Sequence, residues 1–151
     1  MNIWLRRLGK RANLMHEVFV DASAWIAVSD RRDKFHATAR DEYRQLLGNR
    51  YVFVTTNLVI AETYIVIRRT AGYAQAMRFL KSLGSSPRLI KIYSDARLES
   101  LAETILERHR DQDFSFADAV SFALMQERGL ELAFTFDSHF STMGFQMAPV
   151  A

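Results

Sequence analysis

Near the start of the chain, Val18, Phe19 and Val20 run without interruption into Asp21, with Ser23 two positions on. A continuous apolar, β-prone run suits a strand buried on both faces of a parallel sheet, not the alternating pattern of a half-exposed one. A carboxylate just past its end falls on the carboxyl edge of the sheet, where open α/β sheets bind their ligands. The pattern recurs near the other end, where Leu132 to Phe136 leads into Asp137. One sheet with an acid at the end of each of two strands is the arrangement that the intervening residues must serve.

The segment from Ser23 to Val28 is small and apolar, and Asp30 to Asp33 reads as a polar loop with solvated acids. Asp33 is expected to cap a helix running to Leu47, with His36, Arg40, Tyr43 and Leu47 on one face and Gly48-Asn49 as its stop. Tyr51 to Thr55 is a second strand. Asn57 is expected to cap a helix from Leu58 to Arg69, whose apolar residues cover almost every face and predict burial, with Glu62 as its one acid. Gly72 breaks that helix, and a shorter one runs from Tyr73 to Leu83.

After the Ser85-Ser86-Pro87 turn, Leu89 to Tyr93 is a third strand, and Ser94 or Asp95 caps a helix with a stripe of Leu98, Leu101, Ala102, Ile105 and Leu106. Arg108 to Asp113 is a charged loop, with Asp111 and Asp113 solvated. Ser115 opens a further helix, with Phe116, Ala119, Val120, Ala123 and Leu124 facing inward and Gly129 as its stop. Ser138 to Met143 is a helical turn, and Phe145 to Met147 an edge strand. Strands alternate with helices throughout, so the expectation is a single α/β domain with a mainly parallel central sheet and helices on both sides.

The 151 residues suffice for one domain with a substantial core. The absence of cysteine excludes disulfides, thiol catalysis and cysteine-bound zinc, and fits a cytoplasmic protein. No apolar run approaches the ~20 residues of a membrane-spanning helix, so no membrane role is expected. The formal charge of +3 is unevenly distributed: Arg6, Arg7, Lys10 and Arg11 stand in residues 1–14 with no acid, and subtracting those four leaves −1 for residues 15–151. Residues 1–14 read as a basic, loosely ordered extension ahead of a domain over 15–151, with a start at Met15 as one explanation and a basic arm for RNA as the other.

Asp21, Glu62, Asp118 and Asp137 fall at strand ends or in the opening turns of helices that begin near the same sheet edge. Each has a plain alternative. Asp21 and Asp137 could open turns, Glu62 could pair with a base, and Ser115-Phe-Ala-Asp118 has the pattern of a capping box. Together they describe a cluster that cannot stay ionised without a cation, because like charges raise one another's pKa. All-oxygen ligands suit a hard divalent ion such as Mg²⁺ or Mn²⁺, which can activate water and stabilise charge on a phosphodiester. Ser23, Thr135, Ser115 and Asn57 are expected to support the acids by hydrogen bonding. The histidines at 16, 36, 109 and 139 show no metal-ligand spacing and read as surface or core residues.

Val-Phe-Val-Asp21-Ala-Ser23, Asn57-Leu-Val-Ile-Ala-Glu62-Thr, Phe114-Ser-Phe-Ala-Asp118-Ala and Thr135-Phe-Asp137-Ser-His-Phe140 together resemble the motifs of PIN domains, above all those of VapC-type toxin ribonucleases and their stand-alone relatives. The resemblance spans residues 18 to about 147. It implies a parallel sheet with flanking helices, an acidic Mg²⁺/Mn²⁺ site made by Asp21, Glu62, Asp118 and Asp137 with Ser23 in the hydroxyl position, and RNA endonuclease activity. It also implies homodimers and, for toxins, an antitoxin protein partner. The apolar surplus between Asn57 and Leu83, including Tyr64, Ile67, Tyr73, Met77 and Phe79, is compatible with an interface patch or with core packing alone.

Two competing readings remain. A haloacid-dehalogenase-type phosphatase would use Asp21 as nucleophile, but needs an acid where Ser23 stands and a lysine between 92 and 151, where there is none. A degenerate, non-catalytic PIN module would bind RNA or protein without cutting. Deleting residues 1–14 is expected to leave the melting temperature and RNA cleavage nearly unchanged while weakening RNA binding at low salt. Truncated protein that fails to fold would refute the dispensable extension.

Overall fold

The computed structural model describes residues 15–150, and the expected basic extension over 1–14 lies outside the described residues. In chain order the elements are β1 Glu17–Val20, α1 Ala22–Ser29, α2 His36–Gly48, β2 Val52–Thr56, α3 Asn57–Thr70, α4 Tyr73–Gly84, β3 Leu89–Ile92, α5 Ala96–Arg108, α6 Phe116–Arg128, β4 Leu132–Phe134, α7 His139–Thr142 and β5 Gln146–Ala148. The strands form one sheet in the order β3-β2-β1-β4-β5, and every pairing is parallel.

β1 lies at the centre, with Val18, Phe19 and Val20 wholly excluded from solvent. This is why its sequence is apolar without alternation. The chain steps from β1 to β2 and β3 on one side, then returns past β1 to β4 and β5 on the other, so the order reverses between β1 and β4. Ligand sites of open α/β sheets form at such a reversal, outside the carboxyl ends of the strands. Val20 pairs with Phe134. The ladder runs one step further, the Asp21 N–H donating to the Phe134 carbonyl at 3.1 Å, which sets Asp21 beside Thr135.

Both faces of the sheet are covered. α1 packs on α2 and α3, α3 on α4, and α5 on α6. With the right-handed crossovers that parallel sheets almost always use, the first group falls on one face and α5–α6 on the other. The aromatic residues follow this division. Phe53 packs against Trp25 and Tyr43, with Trp25 reaching Phe79. Phe19 packs on Phe140, and Phe122 on Phe140 and Phe145. α3 also touches α6, closing the two groups over the carboxyl edge. Gly129, with φ of 68°, ends α6 in the left-handed region.

Several local expectations shift. The segment after Asp21 is a true helix, α1, with Asp21 at its N-cap. Its buried Ala22, Ala24, Trp25 and Ala27 leave little polar face from which a 3.6-residue period could be read. α2 begins at His36 and not directly after Asp33, whose carboxylate instead turns back onto the Phe35 N–H at 2.8 Å. Thr56, not Asn57, caps α3, accepting from the Val59 N–H at 3.1 Å. α3 is not buried all round: Ala61, Glu62, Ile65, Arg68 and Arg69 form an exposed face. Of the apolar residues set aside for an interface, Ile67 and Phe79 are core, whereas Tyr73 is exposed. Asp30, read as solvated, is buried and receives the Arg32 N–H and Nε at 3.0 and 3.2 Å.

One cross-link ties the ends of distant elements together. Arg128, at the end of α6, donates Nε and Nη2 to the two carboxylate oxygens of Glu17 at 2.7 and 2.8 Å. The arginine holds the Glu17 pKa below its ordinary 4.5, against a smaller opposing effect of burial. A depressed carboxylate stabilises the fold above its unfolded pKa and loses that contribution as the pH falls through the folded value. Glu17→Gln should therefore cost roughly 0.5–1 kcal/mol at pH 7, as expected for a partly exposed bidentate pair. The difference from the parent protein should shrink towards zero below pH 4.5. Urea melts at both pH values would check it.

Candidate active site

Asp21 sits where β1 ends and α1 begins, and almost none of it is exposed. Its Oδ2 receives the Ser23 N–H at 3.4 Å, the Ser23 hydroxyl at 2.8 Å and the Thr135 hydroxyl at 3.0 Å. Each hydroxyl also accepts an amide from the strand opposite: Ser23 Oγ from the Phe136 N–H at 2.9 Å, and Thr135 Oγ1 from the Asp137 N–H at 3.0 Å. Two hydroxyls thus lock the backbone carrying Asp137 onto the carboxylate of Asp21. The expected support by Ser23 and Thr135 is present in the geometry. Thr135 keeps its backbone bond to β5, its N–H donating to the Ala148 carbonyl at 3.0 Å, while its hydroxyl makes these bonds.

Asp118 reaches the same edge from the first turn of α6. The capping box read from the sequence is real, with the Asp118 N–H donating to Ser115 Oγ and the Ser115 N–H donating to Asp118 Oδ2, both at 3.0 Å. The cap does not exclude a second role, because the carboxylate also points at the cluster. His139 Nδ1 lies 3.3 Å from Asp118 Oδ2 and 3.5 Å from Asp137 Oδ1. The His139 N–H donates to Asp137 Oδ1 at 2.9 Å. Asp118, Asp137 and His139 each bring one ligand atom within 4.8 Å of the others, and all three are partly buried or at the edge of burial.

His139 is the member that sequence reasoning passed over. Its partner Asp118 lies 21 positions away, and no spacing rule connects a histidine in a one-turn helix to an acid on another element. The available clue was local: an acid two positions before it, in a turn leaving a strand.

Glu62 stands on the exposed face of α3 and does not join that close group. Partial burial raises its pKa, and the charges of Asp21, Asp118 and Asp137 push it the same way. Among the described residues Glu62 makes no hydrogen bond or ion pair with the other three acids. Asn57 belongs elsewhere, its amide oxygen accepting from the Ser94 N–H at 2.8 Å and tying α3 to the chain after β3.

Burial is the main cause of a raised Asp21 pKa, reinforced by Asp118 and opposed by hydrogen bonds from Ser23, Ala22 and Thr135. Among the described residues, no lysine or arginine forms an ion pair with any of the four acids. Hard oxygens gathered around a buried carboxylate without a basic partner are a fitting donor set for a divalent cation. His139 adds one nitrogen, which Mn²⁺ accepts more readily than Mg²⁺.

An acid whose folded pKa is raised binds more protons in the native than in the unfolded state across the interval between the two values, so stability falls as pH rises through it. For Asp21 and Glu62 that interval opens at 3.8 and 4.5 and extends upward. Metal-free protein should therefore melt higher at pH 5 than at pH 7.5, and Asp21→Asn should flatten the difference. Thermal melts in chelator are the check, and a profile unaffected by the substitution would contradict the electrostatics.

The PIN domain family model matches residues 18–146. Two curated relatives, the 23S rRNA-specific endonuclease VapC20 from Mycobacterium tuberculosis strains CDC 1551 / Oshkosh and H37Rv, are each 35% identical over 129 residues, covering 85% of this chain and 95% of theirs. The crystal structure of Mycobacterium tuberculosis VapC20, described as a Sarcin-Ricin loop cleaving toxin, superposes with a TM-score of 0.76 at 33% identity over 85% of this chain and 95% of that one. VapBC2 from Rickettsia felis, bound to a DNA fragment from their promoter, matches in fold with a TM-score of 0.64 at 13% identity over 87% and 96% of the two chains. The motifs, the all-parallel sheet and these likenesses agree: the chain belongs to the PIN domain family.

Proposed function

We propose that this chain is a Mg²⁺- or Mn²⁺-dependent endoribonuclease and the toxin of a toxin–antitoxin pair, with a loop of ribosomal RNA as its substrate class. The observation that carries the reading is the close group of Asp118, Asp137 and His139 at the carboxyl edge between β1 and β4, with the buried Asp21 tied to the backbone of Asp137 through the Thr135 hydroxyl. It is supported by relatives that cut 23S rRNA and share 35% of their residues with nearly their whole length matched. No helix among the described residues is long and apolar enough to cross a membrane, and the proposed site of action is the cytoplasm.

Asp21, Asp118 and Asp137 would hold the cation, with Glu62 as the fourth acid. When bound, such an ion lowers the pKa of water and stabilises charge on the oxygens of a phosphodiester. The chain's own contribution is position. Ser23 and Thr135 spend their hydroxyl protons on Asp21 Oδ2, so its orientation is set before any ligand arrives. Ser115 fixes Asp118 by the capping box. His139 lies between Asp118 and Asp137 and restrains both. The reaction is hydrolysis: water adds to phosphorus and the bridging oxygen leaves. The exposed Tyr73 and Ile65 on the α3–α4 hairpin are assigned to a protein contact, a second copy of the chain in the free protein and the antitoxin in the complex.

A paired substitution tests the site where its alternative is most concrete. If Asp118 serves only the cap, Asp118→Asn should lose at most ~1 kcal/mol of stability and keep its cleavage rate. If it holds the cation, cleavage collapses and the stabilisation of the fold by Mn²⁺ is lost, while metal-free protein melts at the same temperature or higher. Ser115→Ala should lose about 0.5–2 kcal/mol yet retain substantial activity at temperatures where it stays folded. Cleavage undiminished in excess chelator, with an Asp21→Asn preparation as control for contaminating nuclease, would refute the metal dependence.

A further inference from the structure

Next to Asp137 stands an aromatic pair of which one ring, Phe136, packs against the core and the other, Phe35, reaches the surface. Phe35, in the loop between α1 and α2, lies on Phe136 with ring centroids 4.5 Å apart and planes 7° from parallel. This is the shortest centroid distance among the described aromatic pairs. Phe35 is 36% exposed. Phe136 directly precedes Asp137, and its N–H is held by the Ser23 hydroxyl that also bonds Asp21. The Lys34 ammonium lies 4.8 Å from the centre of the Phe35 ring.

The loop carrying Phe35 is arranged in advance. Asp30 turns inward and binds Arg32. Asp33 donates its N–H to the Asp30 carbonyl at 3.0 Å, and its carboxylate takes the Phe35 N–H at 2.8 Å. Both acids are consumed by the loop's own backbone and by Arg32, while Arg31, Lys34 and Phe35 are left exposed. An exposed ring and an ammonium next to a phosphodiester site form the combination by which proteins hold unpaired nucleotides: a base on the ring, positive charge on the phosphates.

We propose that Phe35, backed by Phe136 and flanked by Lys34, is a stacking platform for one unpaired nucleobase next to the scissile phosphodiester. The inference rests on the ribonuclease reading and specifies how that site holds its substrate. The base takes the ring face that Lys34 covers, and the lysine, on its flexible stem, passes to the neighbouring phosphate. A base paired within an A-form helix offers no free face, so the platform selects single-stranded or splayed nucleotides. Stacking is tolerant of base identity and favours purines by their larger area.

The test uses the full chain in chelator, where binding is separated from cutting, with a short oligoadenylate as probe and the same RNA bearing abasic riboses as control. Phe35→Ala and Phe35→Leu should each weaken oligoadenylate binding by roughly 5- to 150-fold, the range of losing one stacked base, and leave abasic RNA nearly unaffected. Phe35→Tyr should bind as the parent does. Phe35→Trp should bind as well or better, with its added fluorescence quenched by oligoadenylate and not by abasic RNA. Leucine retains apolar volume for packing on Phe136, so a Phe35→Leu protein that binds like the parent overturns the platform. So does an equal loss on both RNAs, or a Leu variant that loses only self-association. Cleavage with Mn²⁺ keeps the two readings apart: RNA-quenched Phe35→Trp protein that never cuts refutes the nuclease and leaves the platform standing, whereas a protein that cuts equally well as Phe35→Leu refutes the platform alone.

Discussion

A single buried carboxylate organises the carboxyl edge of this sheet. Asp21 begins α1, closes the seam between β1 and β4 through Ser23 and Thr135, and is the innermost acid of the cluster. Each of these roles depends on the same short hydrogen bonds, because Ser23 and Thr135 join Asp21 to the backbone of residues 136 and 137. The two strand ends could otherwise separate, since β4 contributes only three residues to the sheet. The central strand must be apolar on both faces to be buried, and the side chain that follows it must be charged to serve the edge. The structure reconciles the two demands within one peptide step.

The cost of that arrangement falls on the metal-free protein. Removing a carboxylate from water disfavours its charged form, and Asp118 adds repulsion. The hydroxyls and the Ala22 amide offset part of this and do not cancel it, so the Asp21 pKa stays raised. A site in this condition has a standing preference for anything that restores positive charge, whether a proton or a divalent cation. His139 lies between two of these acids, its Nδ1 3.3 Å from Asp118 Oδ2 and 3.5 Å from Asp137 Oδ1. Function and instability here have one physical origin.

The frame was legible in the sequence because burial on two faces leaves a signature that survives in composition: Val18 to Val20 and Leu132 to Phe134 could be little else. Asp21, Asp118 and Asp137 could be placed at one edge because their positions follow from where strands end and helices begin, whereas Glu62 lies well inside α3 and stands apart from the close group. What escaped notice depended on contacts between distant residues or on short elements. α1 is too apolar to show a periodicity. The cap of α3 slipped from Asn57 to Thr56 because both residue types can cap, and the Asn57 amide instead accepts from the Ser94 N–H. Asp30 looked like a solvated loop acid because its use by Arg32 and the loop backbone cannot be read from charge alone. His139 was passed over because its two acids reach it from different elements.

The same loop bears on how an acidic edge admits a polyanion. Residues 15–151 carry a formal charge of −1, so the domain as a whole offers no long-range attraction to RNA, and the cluster itself repels phosphate until a cation is bound. Approach must then rely on local positive charge and on contacts that are not electrostatic. Lys34, over the Phe35 ring, supplies the first. A stacked ring supplies the second, and stacking is insensitive to the sign of the field around it. The inward-turned Asp30 matters here as much as the outward ammonium, because a further unpaired acid in this loop would have extended the repulsive surface. By pairing Asp30 with Arg32 and binding the Asp33 carboxylate to the loop's own backbone, the fold leaves Lys34 and Phe35 as the approach to a carboxylate site.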